Sequence, residues 1–470
     1  MKEKFKYLLK NTGLLFVSNF ASKILVFLLV PFYTSILSTS EYGTYDLIYT
    51  TVQLIVPILT LNIVDSVIRF SIGNSKDNQI RAFSIGVKYI VVACIVVIPL
   101  LIILSVTGKF NSITDYSIQF LVIFVSYIIN NLVCQFARGL DDVKGVAISG
   151  VIGTGTMIIL NIVFLLCFKL GLDGYFYAMS ASLFFPAVYL FIKDKMFQYI
   201  RQGIVFSISN GFEKEMLQYC IPLIFINLSW YINNVSDRYV VTWMCGIEKN
   251  GIYSVAYKIP AILNAVQVIF IQAWQLSAIK EYSPKDGEPF YRKIYQITQV
   301  IMVTLCSILI IFTKFLSTCL FAKDFYEAWK YVPVLLIYIV FNTLSGVIGG
   351  VFSATKDSAK LAWTGIVGSV LNIILNFVLV FEIGTMGAAI ATVISSIIIF
   401  VMRYNASKKH IRLKINMCRH ITQYIVLFIQ AFLYINIEEE KLLILSQLFC
   451  VIIIMMVNFR EVRSLKNDNI

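Results

Sequence analysis

The chain is short of charge, histidine and patterned cysteine. Of its 470 residues only 14% are charged, while 59% are apolar. A soluble domain carries about a quarter charged residues, so a water-soluble globule of this size is excluded. The two histidines, His410 and His420, lie in one basic segment, which argues against a His-ligated metal centre. Nine cysteines are scattered through apolar stretches with no C-x-x-C spacing. That pattern makes neither a disulfide framework nor a metal site. The G-x-x-x-x-G-K-[ST] run of a phosphate-cradling loop is missing, so ATP hydrolysis of that kind is not expected. D-x-D, G-x-S-x-G and H-E-x-x-H are missing too, and the chain is not expected to be an enzyme. "GVIGTGT" (150–156) is rich in glycine but lies inside an apolar run. It reads as close helix packing and not as a phosphate loop.

What the chain has in abundance is apolar runs of about 20 residues, the length that crosses a bilayer as a helix. In hydrocarbon every backbone polar group must be satisfied within its segment, so such runs must be helical. The expected fold class is an all-α polytopic membrane protein of about fourteen transmembrane helices. The first falls near 11–37, the second near 43–68, the seventh near 215–240, the eighth near 250–275 and the last near 441–459. The basic start "MKEKFKYLLK" leads into a long apolar run without an A-x-A site, which reads as an uncleaved first span. No soluble domain is expected on either side, because the loops are short.

The net charge of +13 is explained by topology better than by nucleic acid, which is not expected as a partner. With the N-terminus placed in the cytoplasm and the spans alternated, the inside segments hold 28 of the 39 Lys+Arg and the outside segments 8. Cytoplasmic loops collect Lys and Arg in this way. Both termini are therefore expected in the cytoplasm, and the protein is placed in a bacterial cytoplasmic (inner) membrane as a multi-pass protein.

An internal repeat is visible. "EYGTYDLIY" (41–49) matches "KNGIYSVAY" (249–257), aligning Gly43 with Gly251 at a shift of 208. "FARGLDDVK" (136–144) matches "FSATKDSAK" (352–360) at 216, and "GLDGYFYA" (171–178) matches "GTMGAAIA" (384–391) at 213. Three matches in order at similar shifts divide the chain into a six-helix lobe over 1–200, a second over 201–410 and a helix pair over 411–470. A shift of six spans keeps both lobes in the same orientation, the parallel repeat of transporters that rock one half against the other.

Polar residues inside spans are the candidate functional groups. Lys23 sits near the centre of the first span, with Asn19 four residues before it on the same face. Its distance from either end leaves no snorkelling route, and such a cation faces a cavity or a partner. The seventh span carries Asn227, Asn234 and Arg238 on one face, with Asp237 on the neighbouring stripe. The eighth carries Lys258 beside Tyr257, and the second carries Asp46. Asp65 and Arg69, four apart, read as a local ion pair, and Lys88 as a lysine reaching the inner headgroups. Lys23, Arg238 and Lys258 lie on the first helices of the two lobes. A cleft between them would be cationic and suited to an anionic cargo.

These segments resemble the polysaccharide and O-antigen repeat-unit flippases (Wzx-type) of the multidrug/oligosaccharidyl-lipid/polysaccharide exporter superfamily. The similar pieces are "NFASKILVFLLVPFYTSILSTSEYGTYDL", "ARGLDDVKG", "DRYVVTWMCGIEKNGIYSVAYKI" and "LNIILNFVLVFEIGTMGAAIATVIS". The resemblance implies two lobes around a V-shaped central cavity and, as cargo, an undecaprenyl-pyrophosphate-linked oligosaccharide turned from the inner to the outer leaflet. Lys23, Arg238 and Lys258, with Asn19, Asn227, Asn234 and Tyr257, would then meet the cargo. Asp46 and Asp237 are candidates for ion coupling or charge balance. No cofactor is expected, with H⁺ or Na⁺ as the candidate coupling ion. Expected partners are the lipid-linked oligosaccharide and membrane lipids, with a polysaccharide polymerase and a chain-length regulator as further candidates. The alternatives are a flippase for a teichuronic-acid or peptidoglycan precursor and a membrane glycosyltransferase or polymerase. A polymerase would carry a long extracytoplasmic loop, and the net positive sign within these spans disfavours a drug exporter.

Overall fold

In the computed structural model the described residues are 27–108, 111–205, 210–280, 288–355, 357–411 and 417–467. Lys23 and Asn19 lie outside them, and of Asn234 only the helical backbone is described. The described residues fall into two compact units, divided between Tyr231 and Ile232.

The first unit contains α1 (Val30–Ile36), α2 (Thr39–Leu59), α3 (Ile63–Ser71), α4 (Lys76–Thr107), α5 (Ser117–Gly139), α6 (Val143–Asn161), α7 (Gly171–Lys193) and α8 (Met196–Val205). It ends within α9 (Asn210–Cys245). The second unit continues α9 into α10 (Ile247–Ala256), α11 (Pro260–Lys280), α12 (Glu288–Ile311) and α13 (Thr313–Leu320). Then come α14 (Val332–Ala354), α15 (Ser358–Ile383), α16 (Thr385–Ser407), α17 (Met417–Asn436) and α18 (Glu440–Asn467). Among the described residues ten helices are long and apolar enough to cross a membrane, or eleven if α2 and α3 form one bent span. The first of the fourteen expected spans lies largely outside the described residues, and α9, rich in Asn and charge, is not among the ten.

The core is apolar, but unlike that of a soluble protein so is much of the surface. Ile95, Ile102, Ile103 and Val106 of α4 are largely exposed, as are Phe381 of α15 and Phe459 of α18. Exposed apolar stripes of this extent would be a liability in water; in a bilayer they are the lipid-facing surface. Polar side chains turn inward instead. In the second unit Ser307 donates to Gln430 Oε1 at 2.8 Å, Gln447 donates to the Gln430 carbonyl at 3.2 Å, and Asn458 donates to Thr304 at 2.8 Å. Gln299 and Gln423 are hydrogen-bonded as well. This amide ladder ties the C-terminal pair, α17 and α18, to α12, in the way polar residues join helices where apolar contact alone does not discriminate protein from lipid.

The repeated segments adopt matching local structures. Gly43 and Gly251 are each the fifth residue of their helices, α2 and α10. The start of α2 follows from Ser-x-x-Glu: Ser38 Oγ accepts from Glu41 N, and the Glu41 carboxylate accepts from Ser38 N, a capping box. Asp142 caps α6 and Asp357 caps α15, each accepting from the backbone N–H three residues on. In both, the Asp N–H returns to a carbonyl five residues back at 2.9 Å. Each carboxylate meets a basic side chain at or just past the end of α7 or α16: Lys193 for Asp142, and the His410 ring for Asp357 at 3.1 Å. Finally, Gly171 and Gly384, at the starts of α7 and α16, both have positive φ, +56° and +62°, a region glycine occupies without steric cost.

The expected second span, 43–68, is not straight. Pro57 lies inside α2, and α2 meets α3 at 64° across Thr60–Asn62. Leu61 and Asn62 have φ of +48° and +53°, where asparagine is tolerated better than most residues. The eighth span, expected over 250–275, is likewise broken, at Tyr257–Ile259 between α10 and α11.

Candidate functional site: two polar clusters

In the second unit, Asp237 of α9 is 1% exposed. Burying a carboxylate is costly unless hydrogen bonds replace its water, and here they do. Tyr253 and Tyr257 both donate to Oδ2 at 2.8 Å, and the Arg238 N–H donates to Oδ1 at 2.9 Å. The tyrosines are four residues apart and therefore share one face of α10. Tyr257 also presents its ring to the Arg238 guanidinium, 5.5 Å from the centroid, a cation–π arrangement. One residue before Asp237, Ser236 donates to Asn372 Oδ1 at 2.9 Å, and Asn372 donates to Ser395 Oγ at 3.2 Å. Asn376 donates to Asn372 Oδ1 at 3.0 Å. A polar track thus runs from α9 through α15 to α16 inside an apolar bundle.

The first unit holds a separate polar cavity of about 220 Å³ at the bend between α2 and α3. Asn62 Nδ2 donates to Asp65 Oδ2 at 2.8 Å. Asn227 Nδ2 donates to Asn62 Oδ1 at 3.1 Å and to Asp65 Oδ2 at 3.2 Å, closing a triangle. Gln53 of α2, Thr60 at the bend, Tyr127, Asn131 and Gln135 of α5 and Tyr231 of α9 complete the polar wall.

Of the residues singled out from sequence, Asp237, Arg238 and Tyr257 come together, and Asn227 belongs to the other cluster. Asp46 is 8% exposed in α2, where its backbone carbonyl accepts the Thr50 hydroxyl at 2.7 Å. Lys258 is half-buried in the turn between α10 and α11. One sequence reading is corrected. No Asp65–Arg69 ion pair forms among the described residues: Asp65 turns to amides, and Arg69 is exposed. Lys88 pairs with Glu213 at 2.8 Å, and Tyr89 donates to the same carboxylate at 3.0 Å.

Sequence reasoning passed over Tyr253, Asn62 and the Asn372–Ser395 contact. Tyr253 was visible, since it lies four residues before Tyr257 and repeats Tyr45 at the shift of 208. Asn62 carried no signal beyond lying five residues after Pro57 in an apolar run. The partner of Asn372 is set by packing of distant helices.

A helical, multi-pass membrane protein is the class that the described residues define. The profile of the family described as polysaccharide biosynthesis protein matches residues 8–276, and the chain belongs to that family. No curated protein matches it by sequence. Among solved structures it is similar to the inward closed conformation of the lipid II flippase MurJ. That likeness has a TM-score of 0.68 at 15% identity and covers 97% of this chain and 99% of the other. It is also similar to a multidrug resistance MATE family transporter of the MOP superfamily in its inward-facing conformation, with a TM-score of 0.67 at 17% identity, covering 82% and 96%. A MOP superfamily transporter from Pyrococcus furiosus gives 0.51 at 15%, covering 86% and 95%. The fold is that of the MOP transporters. The described helices make the chain a multi-pass membrane protein, and its fold is one that these transporters share.

Proposed function

We propose that the protein is a flippase that carries a polyprenyl (undecaprenyl) pyrophosphate-linked oligosaccharide repeat unit from the inner to the outer leaflet of the bacterial cytoplasmic membrane. It would work by alternating access, in surface polysaccharide biosynthesis (O-antigen, capsule or exopolysaccharide), with both termini in the cytoplasm. The observation that carries this reading is the joint one of family and fold: a polysaccharide biosynthesis chain with the architecture of transporters, one of which is a lipid II flippase. The cargo's pyrophosphate is anionic, and Lys23, Arg238 and Lys258 supply cations within the spans that lead the two halves. Arg238 is backed by the fully hydrogen-bonded Asp237 carboxylate, so its charge is held in place without a loose anion beside it. Asp46 and Asp237 are the residues at which H⁺ or Na⁺ would couple. A polymerase and a chain-length regulator are the partners that would receive the exported unit.

The test is genetic and chemical together. Deleting the gene should abolish the surface polysaccharide and leave lipid-linked repeat units in the inner leaflet, and restoring the chain should reverse both. Normal export in the deletion strain, with no second transporter present, would end the reading.

A further inference from the structure

The hydrogen bonds of Asn62, Asp65 and Asn227 tie α9 to the α2–α3 bend, yet they leave a polar cavity beside them unfilled. We propose that it is a subsite for one neutral sugar ring of the cargo, an inference that rests on the flippase reading above. The chemistry of the wall favours this occupant over an ion or a lipid. Three asparagines and two glutamines, Asn62, Asn131, Asn227, Gln53 and Gln135, each offer donors and an acceptor, the two-sided chemistry that a ring of hydroxyls requires. Tyr127 and Tyr231 add amphipathic rings, apolar in body and polar at the tip, suited to the C–H face of a pyranose.

Asp65 does not make the cavity a cation site. Its Oδ2 accepts from both Asn62 and Asn227, and no second carboxylate lines the cavity among the described residues, so a cation would meet a single partly engaged carboxylate. What remains is an oriented acceptor on the wall. Gln135 Oε1 is engaged by Arg138 at 3.3 Å, which directs the use of the Gln135 amide N–H₂. Asn131 makes no side-chain hydrogen bond among the described residues, so its amide is available to a ligand. Among the described residues the lining contains a carboxylate and no lysine or arginine, which disfavours uronic or other acidic sugars. At about 220 Å³ the space falls below the roughly 300–1,000 Å³ of drug-sized sites, enough for one ring and not two.

The experiment is saturation-transfer NMR on the full chain in lipid nanodiscs. The probes are the methyl glycosides of glucose, galactose and N-acetylglucosamine, with methyl glucuronide as the acidic control. At least one neutral glycoside should receive saturation, the glucuronide at least fivefold less, and Asn131→Leu should cut the neutral signal at least fivefold. Asn131→Asp, nearly isosteric, should cut it at least twofold and serves if the leucine variant does not accumulate. No transfer to any neutral glycoside, or equal transfer in the variants, overturns the subsite. So does a melting temperature that rises with Na⁺ in the wild type and not in Asp65→Asn, if no glycoside signal accompanies it. Movement of a lipid-linked oligosaccharide in proteoliposomes is measured separately. Its absence with glycoside binding intact would refute the flippase and leave the sugar site, whereas transport without glycoside binding would do the reverse.

Discussion

Tyr257 gives its hydroxyl to Asp237 at 2.8 Å and its ring face to Arg238, the next residue along the chain. One tyrosine therefore serves both members of an adjacent charge pair, while Tyr253 makes a second bond to the same carboxylate oxygen. Replacing either tyrosine by phenylalanine keeps the ring and removes one hydrogen bond to a charged acceptor, worth about 1.5–3 kcal/mol. Because both bonds end on one oxygen, Tyr253→Phe and Tyr257→Phe should not add. The double variant should melt well below the sum of the single effects. Strict additivity in thermal melts of the purified protein would count against a shared network.

Lys23 lies outside the described residues, and its role is a prediction from sequence. Lys23→Ala should abolish polysaccharide export with the protein at normal abundance. Lys23→Arg should retain part of it, since charge is kept and the compact ammonium is not, and Lys23→Glu should be worse than Ala. Blots and export assays must be read together. A fall in abundance would mean that the lysine neutralises a buried acid, and full export by a stable Lys23→Ala would refute a cargo role.

Asp194, just beyond α7, has its carboxyl pushed up to about 6 from the usual 3.8, by burial first and by the Asp142 carboxylate next, with Lys193 opposing. The folded chain thus holds this proton more tightly than the unfolded one. Its contribution to stability is full below about pH 4 and is lost as pH rises through 6. Asp194→Asn keeps the neutral form at all pH. Its melting temperature should exceed that of the wild type at pH 7 and match it at pH 4. A constant difference from pH 4 to 8 would contradict this assignment.

Gly387 packs where α16 meets the end of α15. A Cβ there would sit 2.2 Å from the backbone of Leu379, and backbone has nowhere to yield. Gly387→Ala should lower stability at or beyond the upper end of the roughly 0.5–3 kcal/mol typical of substitutions, read as lost accumulation or a large drop in melting temperature. Gly365, in the interior of α15, has open space around its Cβ position, so Gly365→Ala should be neutral or stabilising.

Reporter fusions fix the orientation. Insertions in 38–42 and in 437–441 should both report the outside face. A cytoplasmic signal at both would invert the arrangement drawn from the basic loops.

Much of this was determined by sequence alone. Apolar runs dictate helices in a bilayer because no other backbone can satisfy itself there. Local devices are equally legible: Ser38 and Glu41 start α2, and Asp142 and Asp357 cap corresponding helices, because a cap needs only residues three apart. Asp237, Arg238 and Tyr257 were each conspicuous as polar groups in apolar runs, but that Tyr257 meets the other two was decided by packing. Helical spacing, however, describes only which side chains share a face. It paired Asp65 with Arg69, whereas tertiary structure bends the chain at Leu61 and Asn62 and gives Asp65 to Asn227, far along the sequence. Lys88 likewise pairs with Glu213, a partner 125 residues along the chain. A buried or half-buried polar group takes the partner that lowers its desolvation cost most. Which partner is within reach depends on how distant helices pack, and no local pattern encodes that.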